Sequence, residues 1–98
     1  MQFLITAHDG RDMLGKRKAV RPRHLENMRK VNGKVVCAGG ILDAAGRPVG
    51  SVLVMDFPGR GELDAYLRSE PYLQEKVWEA VSVEPMNVVI LNGEQVGT

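Results

Sequence analysis

The run Val20-Arg21-Pro22-Arg23-His24-Leu25 sets one histidine into a stripe of apolar residues. Val20, His24, Met28 and Val31 recur at helical spacing and share one face. That face looks inward, toward a sheet, so the ring is aimed into the protein. An imidazole placed there is either a hydrogen-bonded edge of the core or a general acid/base, since its charge changes near neutral pH. Pro22 suits the first turn of a helix, where its missing N–H costs nothing. The helix is therefore predicted from about Arg21 to Val31, with Asn32-Gly33 as its stop and Gly33 in a left-handed cap.

Other side chains could serve the same chemistry. Arg17 and Arg21 carry guanidinium groups that match a carboxylate in a bidentate fork; the alternative for Arg17 is an ordinary surface ion pair. Ser51 follows Gly50 at the start of a strand. No Gly-x-Ser-x-Gly elbow surrounds it, so it either satisfies the backbone or binds substrate, and it is not a nucleophile. Gly39 and Gly40 let a backbone approach closely, to a ligand or to a packed helix, but form no phosphate-loop pattern. His8, beside Asp9, is a second imidazole candidate. Tyr72 reads as a packing residue whose hydroxyl stays wet or bonded, and Trp78 as core or interface. Cys37 is the only cysteine and reads as a small hydrophobe of a buried strand rather than a reactive thiol. No Cys/His cluster has metal-ligand spacing, so no metal is expected.

The elements that must position these groups follow from patterning. Gln2 to His8 alternates as a strand, and residues 9–20 read as a charged loop with room for one turn of helix near Met13. After the helix come a strand over Lys34 to Leu42, a hairpin turn in which Gly46 supplies positive φ, and a strand over Val49 to Phe57. A second helix spans about Gly61 to Arg68 and buries Leu63, Tyr66 and Leu67. Pro71 opens a short helical turn with Tyr72 and Leu73. A last strand lies within Val77 to Leu91, and Pro85 in it requires an edge or a bulge. The order β-α-β-β-α-β predicts an α+β, ferredoxin-like sandwich of one domain, 1–98: a four-stranded antiparallel sheet of order 4-1-3-2 with two helices on one face. The other sheet face then exposes Leu, Val and Met, which predicts a homodimer joined through the sheet.

Charge narrows the partners. Residues 1–50 carry ten Lys/Arg against four Asp/Glu, and residues 51–98 carry three against eight. Six of the basic residues fall between Arg11 and Arg23. They form either a solvated face that offsets the acidic second half or a local field for a small anion such as a carboxylate. No aromatic platform is interleaved with them, so no nucleic acid is expected. No leader and no bilayer-spanning run is read, so no membrane partner is expected and a cytoplasmic protein is.

Several segments match a known pattern in order and spacing: Asp9, Lys16-Arg17, Arg21-Pro22-Arg23-His24-Leu25, Ala38-Gly39-Gly40, Gly50-Ser51, Ser69-Glu70-Pro71-Tyr72 and Val81-Ser82-Val83-Glu84-Pro85. Through them the chain resembles the YCII-related domain family over nearly its full length, a branch of the dimeric α/β-barrel proteins. The resemblance implies an active-site pair of His24 with Glu70. The family usually has aspartate before that proline, and glutamate is a poorer N-cap. Either Ser69 has taken over capping of the Pro71 turn, or Glu70 orients the histidine with a shifted backbone. Around this pair, Arg21, Arg17, Ser51, Gly40, Asp9 and Tyr72 are the expected substrate-binding residues. The implied activity is a small cofactor-independent enzyme, isomerase- or lyase-like, moving a proton on an anionic or aromatic-derived substrate. The alternative is a non-catalytic dimeric module that binds a metabolite or serves as an accessory interaction domain.

Overall fold

The computed structural model describes residues 1–31 and 33–98. The elements are β1 (Gln2–Asp9), α1 (Leu14–Arg29), β2 (Lys34–Leu42), β3 (Pro48–Asp56), α2 (Arg60–Ser69), the single turn α3 (Pro71–Gln74), β4 (Trp78–Met86), and the short strands β5 (Ile90–Leu91) and β6 (Glu94–Gln95). The first four strands pair antiparallel in the order β2-β3-β1-β4, which is the predicted sheet. Phe3, Ile5 and Ala7 of β1 sit opposite Met55, Leu53 and Ser51 of β3. All six are buried and face the helices. Leu63 and Tyr66 of α2, with Tyr72, Val77, Trp78 and Phe57, complete that core. The opposite sheet face leaves Leu4, Ile41, Val52 and Met86 partly or fully exposed. Pro85 falls on β4, an edge strand whose outer side makes no ladder bonds.

Four expectations are corrected. Helix α1 begins at Leu14 rather than Arg21, so residues 14–20 are helix and not loop. Leu14 to Ala19 are good helix formers apart from Gly15, and the Arg17 N–H closes the first turn on the Met13 carbonyl at 2.7 Å. Pro22 thus lies inside the helix rather than at its start. It is exposed, and the bond it forfeits is outweighed by burial of Arg17, Val20 and His24 on the opposite side. The helix ends at Arg29, with the Lys30 N–H on the Asn27 carbonyl; the expected stop at Asn32-Gly33 falls on Asn32, outside the described residues. Cys37 is exposed, not buried. It pairs with Val54 on the side of the sheet away from the helices. A register shift between Val35 and Cys37 fixes that side. The hairpin Ile90–Gln95 had no counterpart in the sequence reading.

Two glycines carry geometry. Gly46 holds the β2–β3 turn at φ +80°. A Cβ on Gly50 would lie 2.5 Å from the Ala7 carbonyl oxygen, a backbone atom that cannot give way. Gly50→Ala is therefore expected to destabilise the fold by about 1–3 kcal/mol, measured as a lowered urea midpoint.

Candidate active site

Glu70 ends α2 and opens the α3 turn, and its residue is 0% exposed. Three donors converge on its carboxylate. The His24 Nδ1–H reaches Oε1 at 2.6 Å, the Tyr72 backbone N–H donates to the same Oε1 at 3.0 Å, and the Tyr66 hydroxyl donates to Oε2 at 2.5 Å. Together they satisfy both oxygens of a side chain that has no access to solvent. Because Nδ1 gives its hydrogen to Glu70, the neutral ring keeps its lone pair on Nε2, which has no protein partner among the described residues. The ring stacks on Tyr72 at 4.1 Å between centroids, with the Trp78 indole edge-on at 5.9 Å.

A second network lies two turns earlier on α1. The Arg17 Nη1 donates to both Asp9 oxygens, at 2.7 and 3.0 Å. Its Nη2 donates to the Gly50 carbonyl at 2.9 Å and to Ser51 Oγ at 2.7 Å. The guanidinium carbon lies 4.8 Å from the centre of the Tyr72 ring. Arg17 is buried, so the expectation of a surface ion pair is corrected. Asp9 faces inward by strand alternation and holds the guanidinium at the sheet. With both terminal nitrogens engaged, Arg17 is not free to clamp a ligand in a fork. Ser51 Oγ accepts from Arg17, which leaves its own hydrogen available to a ligand oxygen.

These groups border a cavity of about 140 Å³ between α1 and the sheet. Of the eight predicted site residues, His24, Arg17, Arg21, Gly40, Ser51 and Tyr72 line it. Glu70 lies behind His24, and Asp9 lies behind Arg17. Ala38 and Gly40 stand opposite Leu53 and Ser51 on the helix side of β2, and their small size leaves the floor open. Arg17, Arg23 and Arg29 of α1 each meet a carboxylate. Arg21 lines the cavity, is exposed, and meets none among the described residues. His8 is exposed on the far side of the sheet and takes no part. The described residues contain no cluster of acidic, His or Cys groups that could hold a metal ion, and no helix among them is long and apolar enough to cross a membrane.

Two points of the sequence reading change here. Ser69 does not cap the Pro71 turn: its hydroxyl donates to the Tyr66 carbonyl at 2.7 Å and accepts from Asn27. Glu70 is the cap and the partner of His24 at once, through one oxygen. Tyr66 had been read only as a core residue. Its spacing of four from Glu70 at a helix end is the signal that could have revealed the bond. Burial first, then the Glu70 charge, pushes the Tyr66 phenol far above its ordinary range. Burial likewise raises Tyr72, against the lowering effect of Arg17 and Arg21. Both stay protonated at neutral pH and act as permanent donors.

Comparison with known proteins bears on the family and the fold. The model of the YCII-related domain matches residues 1–87. Protein YciI of Escherichia coli is 32% identical over 97 residues, covering 91% of this chain and 99% of that one. Among solved structures, a 5-chloro-2-hydroxyhydroquinone dehydrochlorinase from Burkholderia phenoliruptrix, in complex with 2,5-dihydroxybenzoquinone, superposes with a TM-score of 0.82. It has 24% identity over 89% of this chain and 94% of the other. An antibiotic biosynthesis monooxygenase superposes at 0.60 with 14% identity, covering 91% and 98%. Both show the shared ferredoxin-like fold.

Tyr66→Phe removes one donor from Glu70, which makes the carboxylate a stronger acceptor toward the imidazole. The expected outcome is a loss of about 1–3 kcal/mol in stability from the bare Oε2, measured as a lowered urea midpoint.

Proposed function

This chain belongs to the YCII-related domain family, and we propose that it is a small enzyme that moves a proton on an anionic substrate through the His24–Glu70 pair. One observation carries the reading: a histidine whose Nδ1 is tied to a buried carboxylate and whose Nε2 is unpartnered at a cavity. In this reading Nε2 takes a proton from carbon, and Glu70 stabilises the imidazolium that forms. The proton then returns to another carbon, giving isomerisation, or a leaving group departs and an elimination results. Arg21, the unpaired guanidinium at the same cavity, holds the substrate's anionic group, and the Ser51 hydroxyl donates to one of its oxygens. The dehydrochlorinase named above acts on a chlorinated hydroquinone, which supports an elimination on a ring-derived anion. The steps assigned to this chain draw only on its own side chains. Its exposed sheet face is taken as the surface for a second copy of the chain, since apolar exposure of this kind favours association.

A non-catalytic binding module is the second reading, favoured by one fact: Glu70 Oε1 also takes the Tyr72 N–H, which is a structural task. Proton exchange separates the two. Glu70→Gln removes the charge that stabilises an imidazolium, so under the catalytic reading it slows substrate proton exchange along with His24→Gln, whereas a binding module has no exchange to lose. Catalysis itself is read by deuterium exchange into the carbon acids of small carboxylates and phenols. His24→Gln is expected to slow any such exchange by about 10²–10⁴-fold.

A further inference from the structure

The cavity beside His24 has an apolar neighbour. Leu25 and Met28 line it, and the same two residues line an adjoining cleft of about 590 Å³ between α1 and β2. That cleft is walled by Leu25, Met28, Val31 and Val35, with Arg29 and Lys34. Leu25 is 41% exposed although it faces this seam. The two spaces together are polar at one end, where Arg21 and Ser51 stand, and apolar at the other. Arg21 and Met28 are seven residues apart on α1, roughly 10 Å along the helix axis.

We propose that the α1–β2 cleft is a binding subsite for the hydrocarbon part of an amphipathic carboxylate, whose anionic end lies at Arg21 and His24. This rests on the proton-transfer reading above for the position of the anionic end. The occupant is a small molecule because the cleft adjoins, across Leu25 and Met28, the cavity whose Arg21 meets no carboxylate among the described residues. It lies on the helix side of β2, away from the sheet face taken for a second copy. A ligand with a charged head, a flat ring beside the stacked His24–Tyr72 pair and an apolar tail of several carbons spans the distance. Each methylene buried in the cleft strengthens binding by roughly fourfold at full burial.

Benzoate and 4-butylbenzoate are the probes, titrated into the protein and followed by methyl NMR. The expected result is that 4-butylbenzoate binds at least tenfold more tightly. It alone shifts the methyls of Val31 and Val35, and both probes weaken in Arg21→Gln. Val35→Gln removes most of the advantage of the butyl group and leaves benzoate unchanged. Leu25→Gln, at an exposed position where folding is not at stake, repeats the loss for the butyl compound. Equal affinity of the two probes, or an advantage that survives both variants, overturns the subsite while leaving the anion site standing. Failure of both probes to bind, or binding indifferent to Arg21, overturns the anionic end as well. Self-association that disappears in Val35→Gln assigns the cleft to a second copy of the chain and overturns the proposal.

Discussion

Glu70 has no contact with water, and a carboxylate so placed must find its compensation inside the protein. It finds it from three directions. Helix α1 supplies the His24 ring, α2 the Tyr66 hydroxyl, and the α3 turn the Tyr72 amide. The three helical pieces are thus joined through one side chain as well as through apolar packing. This explains why so small a protein holds a charge at its centre: each donor lowers the cost of burial, and each is held in place by the charge it serves. The arrangement also fixes the tautomer of His24, because among the described residues only the ring nitrogen facing Glu70 has an acceptor.

Arg17 does a related task at the sheet. It links the end of β1 through Asp9 to the start of β3 through Gly50 and Ser51, and its flat cation lies against the Tyr72 ring. Tyr72 is therefore where the two networks meet. Its ring touches His24 and Arg17, and its backbone touches Glu70. The cavity lies between them, with Ala38 and Gly40 withholding the side-chain volume that would otherwise fill it.

The sheet was legible because strand alternation and the glycine and proline breaks are local signals, and the four strands, their order and the exposed face all follow from them. The start of α1 was not legible, since Pro22 marks a first turn far more often than a helix interior; only the tertiary burial of Arg17 and Val20 reverses that preference. Cys37 was misplaced because a bulge of one residue in β2 decides which face it takes, and bulges leave little trace in composition. The site was visible in part. His24 stood out by its type on an apolar stripe, and Glu70 through the family pattern. Arg17 looked like one more surface charge among many, because nothing local announces that Asp9 and Ser51 will meet it across the sheet. Tyr66 was hidden by its own suitability for the core.

The shared oxygen of Glu70 has a mechanical side. The imidazole and the Tyr72 amide draw on lone pairs of the same atom, so a gain of charge on the ring pulls electron density from the bond that closes the Pro-Tyr turn. Proton traffic at a side chain of α1 is thereby felt in the main chain some fifty residues later. The amide resonance of Tyr72 becomes a built-in reporter, able to register the state of a ring it is not covalently near.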